Sequence, residues 1–317
     1  MDFIGDTKID WLKYRWHFVT ISLIVALIGA LDIARKGGLR YGIDFSEGTI
    51  VYAKFENNPA VDVIRQQLRR AGVANAVIQR YDREDLNMVM IRVERAADSE
   101  GELDATANTI LRTLAEDIPG NALADSSTEI VGPVVGAELR RQARNATLFA
   151  LVAMLGYIGF RFEFVYGVGA TLAVVHDVVL TLALVSIFNL EITLYLIAAF
   201  LTLVGYSVND TIVIFDRVRE NRKLVRKSSL RDIMNLSINQ TLRRTVLTSG
   251  LTLFVVVALY VMGGAVLRGF SFVLVAGVII GTYSSIAIAS PIVLWWRGFR
   301  HRPAKDRTKP EAHEARV

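Results

Sequence analysis

The sequence predicts a polytopic α-helical membrane protein of six spans, with one α+β domain between the first and the second. Three observations lead there. The chain of 317 residues is 52% apolar and only 21% charged, with a mean hydropathy of +0.38. Six apolar runs approach the length of about 20 residues that a helix needs to cross a bilayer. The stretch 35–143 is mixed and soluble in character instead. Cysteine is absent, which excludes a disulfide framework and a thiolate metal site.

The first run, 17–34, reads as a span or as a cleaved signal peptide with small residues near Ala30. The 16 residues before it are long for a signal-peptide leader, and Trp11, Tyr14 and Trp16 look like an interfacial aromatic belt, so a span is the better reading. The second run, 145–160, is short, and its helix is expected to reach back into the polar residues before it. The others are 164–188, 192–215, 245–262 and 269–296. The loop after the fourth run, "DRVRENRKLVRKSSLRD", and the tail after Trp295 and Trp296 are dense in Lys and Arg, whereas the short loops 188–191 and 263–269 carry one Arg between them. The positive-inside rule puts the basic segments, and by counting both termini, in the cytoplasm. The basic segment 217–244 therefore needs no nucleic-acid partner to explain it.

On the outer side, 49–55, 74–81, 87–94 and 127–132 read as strands, and 60–72 and 104–117 as helices. The order βαββαβ is that of ferredoxin-like domains. The domain boundaries follow as 1–16, 17–34, 35–143, 144–296 and 297–317.

Polar residues inside the spans are the candidates for function, because an ionisable side chain there costs about 2.5–3.5 kcal/mol on insertion scales. His176-Asp177 lies in the third span and Asn209-Asp210 in the fourth, a short echo 33 residues apart. Counting rise from the ends of the apolar runs puts Asp177 about 20 Å deep and Asp210 about 9 Å deep. Arg244 opens the fifth span at a level that allows it to approach Asp210. Asp216, Arg217, Glu220 and Asn221 form a charged exit from the fourth span, with Arg217 and Glu220 spaced as a surface pair. The "GVIIG" of 277–281 allows close helix packing, within the bundle or against a partner. No GxxxxGK[ST], GxSxG or HExxH occurs, and four His without Cys make a metal site or cofactor unexpected, so the chain does not read as an enzyme.

Several of these stretches resemble the SecF family of protein-export membrane subunits. They are "YGIDFSEGT" (41–49), "VGPVVGAEL" (131–139), "HDVVLT" (176–181), "VGYSVNDTIVIFDRVREN" (204–221) and "NLSINQTLRRTVLTSG" (235–250). One span, a βαββαβ outer domain and five further spans is also that family's layout. The resemblance implies a multi-pass protein of the bacterial inner membrane. It would work with SecD beside the SecYEG translocon and use an ion gradient, as the similar RND transporters do. Its periplasmic domain would move to hold or pull an emerging preprotein. By residue, Asp210 matches the family's intramembrane carboxylate, Arg244 its partner, and His176 and Asp177 its HD motif. Two positions depart from the pattern, which has Gly where Glu47 stands and Ser where Arg243 stands. Two rival functions remain at this point: a non-conducting scaffold of the translocon, and a small RND-like exporter.

Overall fold

The computed structural model describes residues 7–46, 48–81, 86–94, 100–161, 163–225 and 227–300. Glu47, the departure in the first motif, lies outside them. After a short 3₁₀ turn at Trp11–Lys13, the chain runs through α1 (Arg15–Lys36), α2 (Ile43–Ser46), β1 (Gly48–Phe55), α3 (Val61–Arg70), β2 (Val77–Arg80) and β3 (Met88–Glu94). It continues through α4 (Glu100–Glu116), β4 (Leu123–Val131), α5 (Pro133–Arg161), α6 (Phe164–Ile187), α7 (Leu194–Leu224), α8 (Leu230–Met262), α9 (Gly264–Ser284) and α10 (Ser290–Arg300). A π-helical segment, Ser285–Ala289, fuses α9 to α10. Among the described residues, six helices are long and apolar enough to cross a membrane: α1, α5, α6, α7, α8 and the composite Leu267–Arg297.

Local chemistry sets the helix ends. Gly37, in the left-handed region at φ 76°, stops α1, with the Gly37 and Gly38 amides donating to Ala34 and Ile33 carbonyls. The Thr193 hydroxyl caps Leu196 N at the start of α7, and the Ser229 hydroxyl caps Asp232 N at the start of α8. Three helices outrun the apolar sequence. α7 continues nine residues past Phe215 to Leu224, and α8 begins fifteen residues before Thr245, at Leu230. α5 begins at Pro133, which suits a first helical position because its missing amide would have had no partner. Hydropathy marks where lipid contact ends. It says nothing of where the helical hydrogen-bond ladder ends, and no Gly or Pro interrupts the extensions of α7 and α8.

The four strands form an antiparallel sheet in the order β2-β3-β1-β4. Strand alternation puts Val51, Ala53 and Phe55 on one face, where they pack against Ile64 and Leu68 of α3 and Ile110 and Leu114 of α4. Ile50, Met90 and Val131 face the other way, with Tyr52, Tyr81 and Leu139 of α5 packed against them. Burial raises the Tyr52 hydroxyl above its usual range, with the nearby Glu129 adding to the shift.

The bundle packs through small residues. A Cβ on Gly277 would lie 2.4 Å from a Leu203 methyl, and one on Gly281 would lie 3.2 Å from Ser207 Cβ. The GxxxG therefore serves α9–α7 contact within this chain. α1 meets α6 in the same way: Gly29 abuts Ala183, and one turn on Ser186 donates to Asp32 at 2.9 Å. The N-terminal stretch is tied to α8, where the Asn235 amide (2.7 Å) and Arg231 (2.9 Å) hold the Asp10 carboxyl below its usual range.

A Cβ on Gly29 would fall 2.1 Å from Ala183 Cβ and 2.6 Å from its Cα, so Gly29→Ala forces α1 off α6. The expected cost is about 1–3 kcal/mol, seen as a lower thermal unfolding midpoint in detergent. Adding Ala183→Gly is expected to restore it.

Candidate functional site

The polar interior of the bundle is organised by one short sequence, "GTYSS" at 281–285. Consecutive helical residues point about 100° apart, so four in a row address the whole circumference of α9. Thr282 Oγ1 reaches Ser249 of α8 at 2.9 Å, and the Ser249 hydroxyl donates to Asp210 Oδ2 at 3.1 Å. The Tyr283 hydroxyl lies 3.0 Å from Ser22 Oγ of α1. Ser284 donates to Asp177 Oδ2 of α6 at 2.8 Å. Ser285 accepts from Thr211 of α7 at 3.0 Å. The π segment begins at Ser285, and the Ser290 hydroxyl donates to the Ser285 carbonyl at 3.1 Å across the widened turn.

Asp177 is completely buried. Its Oδ2 accepts from Ser284 and from Ser207 of α7, and its Oδ1 meets His176 Nδ1 at 2.8 Å. Although neighbours on a helix diverge, the two side chains of the HD pair do meet. The far ring nitrogen, Nε2, lies 2.9 Å from Ser22 Oγ and 3.4 Å from the Tyr283 hydroxyl. A hydrogen-bonded chain thus runs Tyr283–Ser22–His176–Asp177–Ser207 across four helices.

Asp210 is 3% exposed, and Ser249 is its side-chain hydrogen-bond donor. The expected approach of Arg244 takes a weaker form. Its side chain is exposed, and among the described residues no hydrogen bond or ion pair joins it to Asp210, although its charge acts on the carboxylate from a distance. Arg244 lies five residues before Ser249, about 7.5 Å of helix rise toward the basic end, while Ser249 occupies the carboxylate. Arg243 beside it is exposed too.

The two acids lie closer together along the bundle axis than the count along the apolar runs spaces them. Asp210 is 14 residues from the end of α7 at Leu224, and Asp177 is 13 from the start of α6 at Phe164. Their α9 contacts, Thr282 by way of Ser249 and Ser284 directly, are two residues apart, about 3 Å of rise. The acids therefore lie within about one helical turn of each other along the bundle axis, since Ser207, which donates to Asp177, is one turn before Asp210 on α7. Asn209 is on the exposed face of α7, away from both.

The charged exit of α7 forms a separate network. Gln240 Oε1 of α8 accepts from Arg217 at 2.7 Å and from Asn221 at 2.8 Å, and Asn221 also donates to Ser237 at 2.8 Å. Arg217 pairs with Glu220 at 2.6 Å, and Asp216 pairs with Arg161 of α5 at 3.0 Å. Asn221 is 2% exposed, so the motif fixes α7 against α8 and α5.

Nothing in the sequence alone marks the hydroxyls of Ser22, Ser207, Ser249, Thr282 and Ser284 as site residues. Their one sequence signal is Ser or Thr within an apolar run, which marks interhelical hydrogen bonding without naming its partner.

At the other end of the bundle, the α6–α7 hairpin that carries both acids is fastened to the sheet. Arg92 of β3, nearly buried, pairs with Glu191 of the hairpin loop at 2.8 Å. The Gly42 amide donates to the Ile192 carbonyl and the Ile192 amide to the Arg40 carbonyl, both at 2.8 Å. Asp44 accepts from Leu194 N at 2.8 Å. The "YGIDF" stretch is thus the seam between sheet and hairpin. A Glu191→Gln variant removes the charge opposite a nearly buried Arg92, a break expected to cost about 3 kcal/mol. Faster amide exchange at residues 40–44 and 190–194 is the expected sign, with no change at Ser207 or Asp210.

Comparison with known proteins agrees with this layout. A family model described as protein export membrane protein SecD/SecF, C-terminal, matches residues 111–298. A protein translocase subunit SecF from Koribacter versatilis is 37% identical, over 99% of this chain and 98% of that protein. The Escherichia coli O157:H7 protein of the same name is 38% identical, over 92% and 88%. The crystal structure of SecDF, a translocon-associated membrane protein from a Thermus species, superposes with a TM-score of 0.80 at 36% identity over 92% of this chain. A super-membrane-facing form of SecDF gives 0.66 at 35% identity. This chain spans 39% and 40% of those two longer chains.

Proposed function

Because the chain belongs to the SecF family of protein translocase subunits, we propose that it acts with SecD at the SecYEG translocon and couples proton flow to motion of its α+β domain. In this reading it is a non-enzymatic, multi-pass subunit of the inner membrane with both termini in the cytoplasm. The α+β domain is then a periplasmic ferredoxin-like module that engages the preprotein. The sheet order β2-β3-β1-β4 with two helices on one face supports that assignment.

The observation that carries the proposal is the company the two acids keep. Asp177 and Asp210 are buried within about one helical turn of each other, their hydrogen-bond partners are hydroxyls and an imidazole, and among the described residues no Lys or Arg contacts either. A permanent Arg contact would hold a carboxylate charged. A hydroxyl donates to a carboxylate and accepts from a carboxylic acid, so this shell serves both protonation states. The Thr181 and Thr245 hydroxyls, each four residues from a residue of these clusters, are buried, have no hydrogen-bond partner among the described residues, and offer further polar contacts to a proton carrier. Arg244, exposed and at a distance, is suited to act as a movable charge rather than a fixed counter-ion. One charge crossing 100 mV supplies about 2.3 kcal/mol, which biases a two-state domain roughly fifty-fold. The seam at Arg92–Glu191 would carry a shift of the α6–α7 hairpin to the sheet.

Asp210→Asn keeps the Ser249 hydrogen bond and removes the titrating group. At native expression levels it is expected to lower gradient-dependent preprotein export at least tenfold while the protein still co-purifies with SecD. Normal export in that variant would mean that the chain is a scaffold and that the coupling lies elsewhere.

A further inference from the structure

Outside the acid clusters, the bundle carries a groove of about 730 Å³ between α1, α6 and α10. This is within the range of pockets that hold small ligands. Its walls are apolar over most of their length: Val19 and Leu23 of α1, Val175 and Val179 of α6, and Ile292 of α10. One mouth is different in kind. Arg15 and Trp16 at the start of α1, Arg231 at the start of α8 and Trp295 near the end of α10 surround it. Trp16 and Trp295 are 68% and 66% exposed, on the outside of helices that span the membrane. Among the described residues Arg15 has no carboxylate partner, and its guanidinium sits near the Trp16 ring at 5.8 Å. Arg231 pairs with Asp10 but keeps about half of its side chain exposed.

An apolar groove open to the bilayer is filled by hydrocarbon, since water there would lose its hydrogen bonds. Two Trp mark the depth of the head groups. Two Arg at that depth select a negative charge, and a guanidinium fork matches the oxygens of a phosphate. We propose that this groove is a binding site for one anionic phospholipid, with its phosphate on Arg15 and Arg231 and an acyl chain along α1 and α6. Ser22 and His176 line the same groove. The bound chain therefore covers the Tyr283–Ser22–His176 hydrogen bonds from the membrane side and keeps them dry. This site does not depend on the proposed coupling role.

Trp16 and Trp295 report occupancy directly. The full chain, reconstituted in phosphatidylcholine vesicles, would be titrated with dibrominated phosphatidylglycerol or, in a parallel arm, dibrominated phosphatidylcholine, and Trp quenching recorded. The expected result is saturable quenching at a lower mole fraction of the anionic lipid. Arg15→Gln should weaken that preference about fivefold, consistent with the contribution of one cation near a membrane surface, and Arg15→Lys should retain most of it. Val179→Phe narrows the groove without adding a reporter and should abolish the saturable phase, while the unfolding midpoint reports that the bundle is intact. Equal quenching by the two lipids, or no effect of Arg15→Gln, would overturn the proposal. So would a disulfide between Leu23→Cys and a Cys in a span of co-expressed SecD, because the groove would then be a protein interface.

Discussion

Four neighbouring hydroxyl-bearing residues, at the end of α9 and the first position of the π segment, hold the membrane bundle in register. A polar group in a lipid-surrounded interior must find its partner within the protein, since an unmet hydrogen bond there costs several kcal/mol. Thr282, Tyr283, Ser284 and Ser285 meet that constraint toward α8, α1, α6 and α7 in turn. Rotating or sliding α9 by a single residue would break all four contacts. The close approaches of Gly277 and Gly281 to α7 set the distance at which these bonds can form. The π segment that follows lets α9 be continued by α10 without a loop.

Two buried carboxylates depend on that arrangement. Asp177 is reached from α9 directly and from α7 through Ser207; Asp210 is reached from α9 through Ser249. Because Ser207 precedes Asp210 by one turn on α7, a movement that alters one acid's contacts acts on the other's. In the proposed role this is how protonation at one site would be felt at its neighbour. The α6–α7 hairpin passes any such movement outward, through Glu191 and Ile192, to a sheet whose β3 carries Arg92.

The membrane helices were legible because hydropathy is a local property: each run of apolar residues declares itself without knowledge of its neighbours. The βαββαβ order was legible for a similar reason, since alternation and helical spacing are properties of a single segment. Helix ends were less so. Phe215 and Thr245 end their apolar runs, yet α7 and α8 run on through charged residues and pack there through Asn221, Ser237 and Gln240. Counting from the apolar edges consequently spaces Asp210 and Asp177 farther apart than the structure does, where Ser207, a partner of Asp177, lies one turn before Asp210.

What the sequence by itself determined is the inventory: six spans, one inserted α+β domain, two intramembrane acids and the side on which the basic residues gather. Which groups surround those acids was decided only in three dimensions. A Ser in an apolar run has the same composition and spacing whether its hydroxyl turns to lipid, to its own helix or to a carboxylate on the next one. The outcome depends on the rotation of each helix about its axis, and that rotation is set by Gly29 against Ala183 and Gly277 against Leu203, contacts between residues far apart in the chain. Tertiary packing thus gave Asp210 a serine for its nearest partner and left Arg244 at a distance, an assignment that no local pattern of the fourth or fifth span contains.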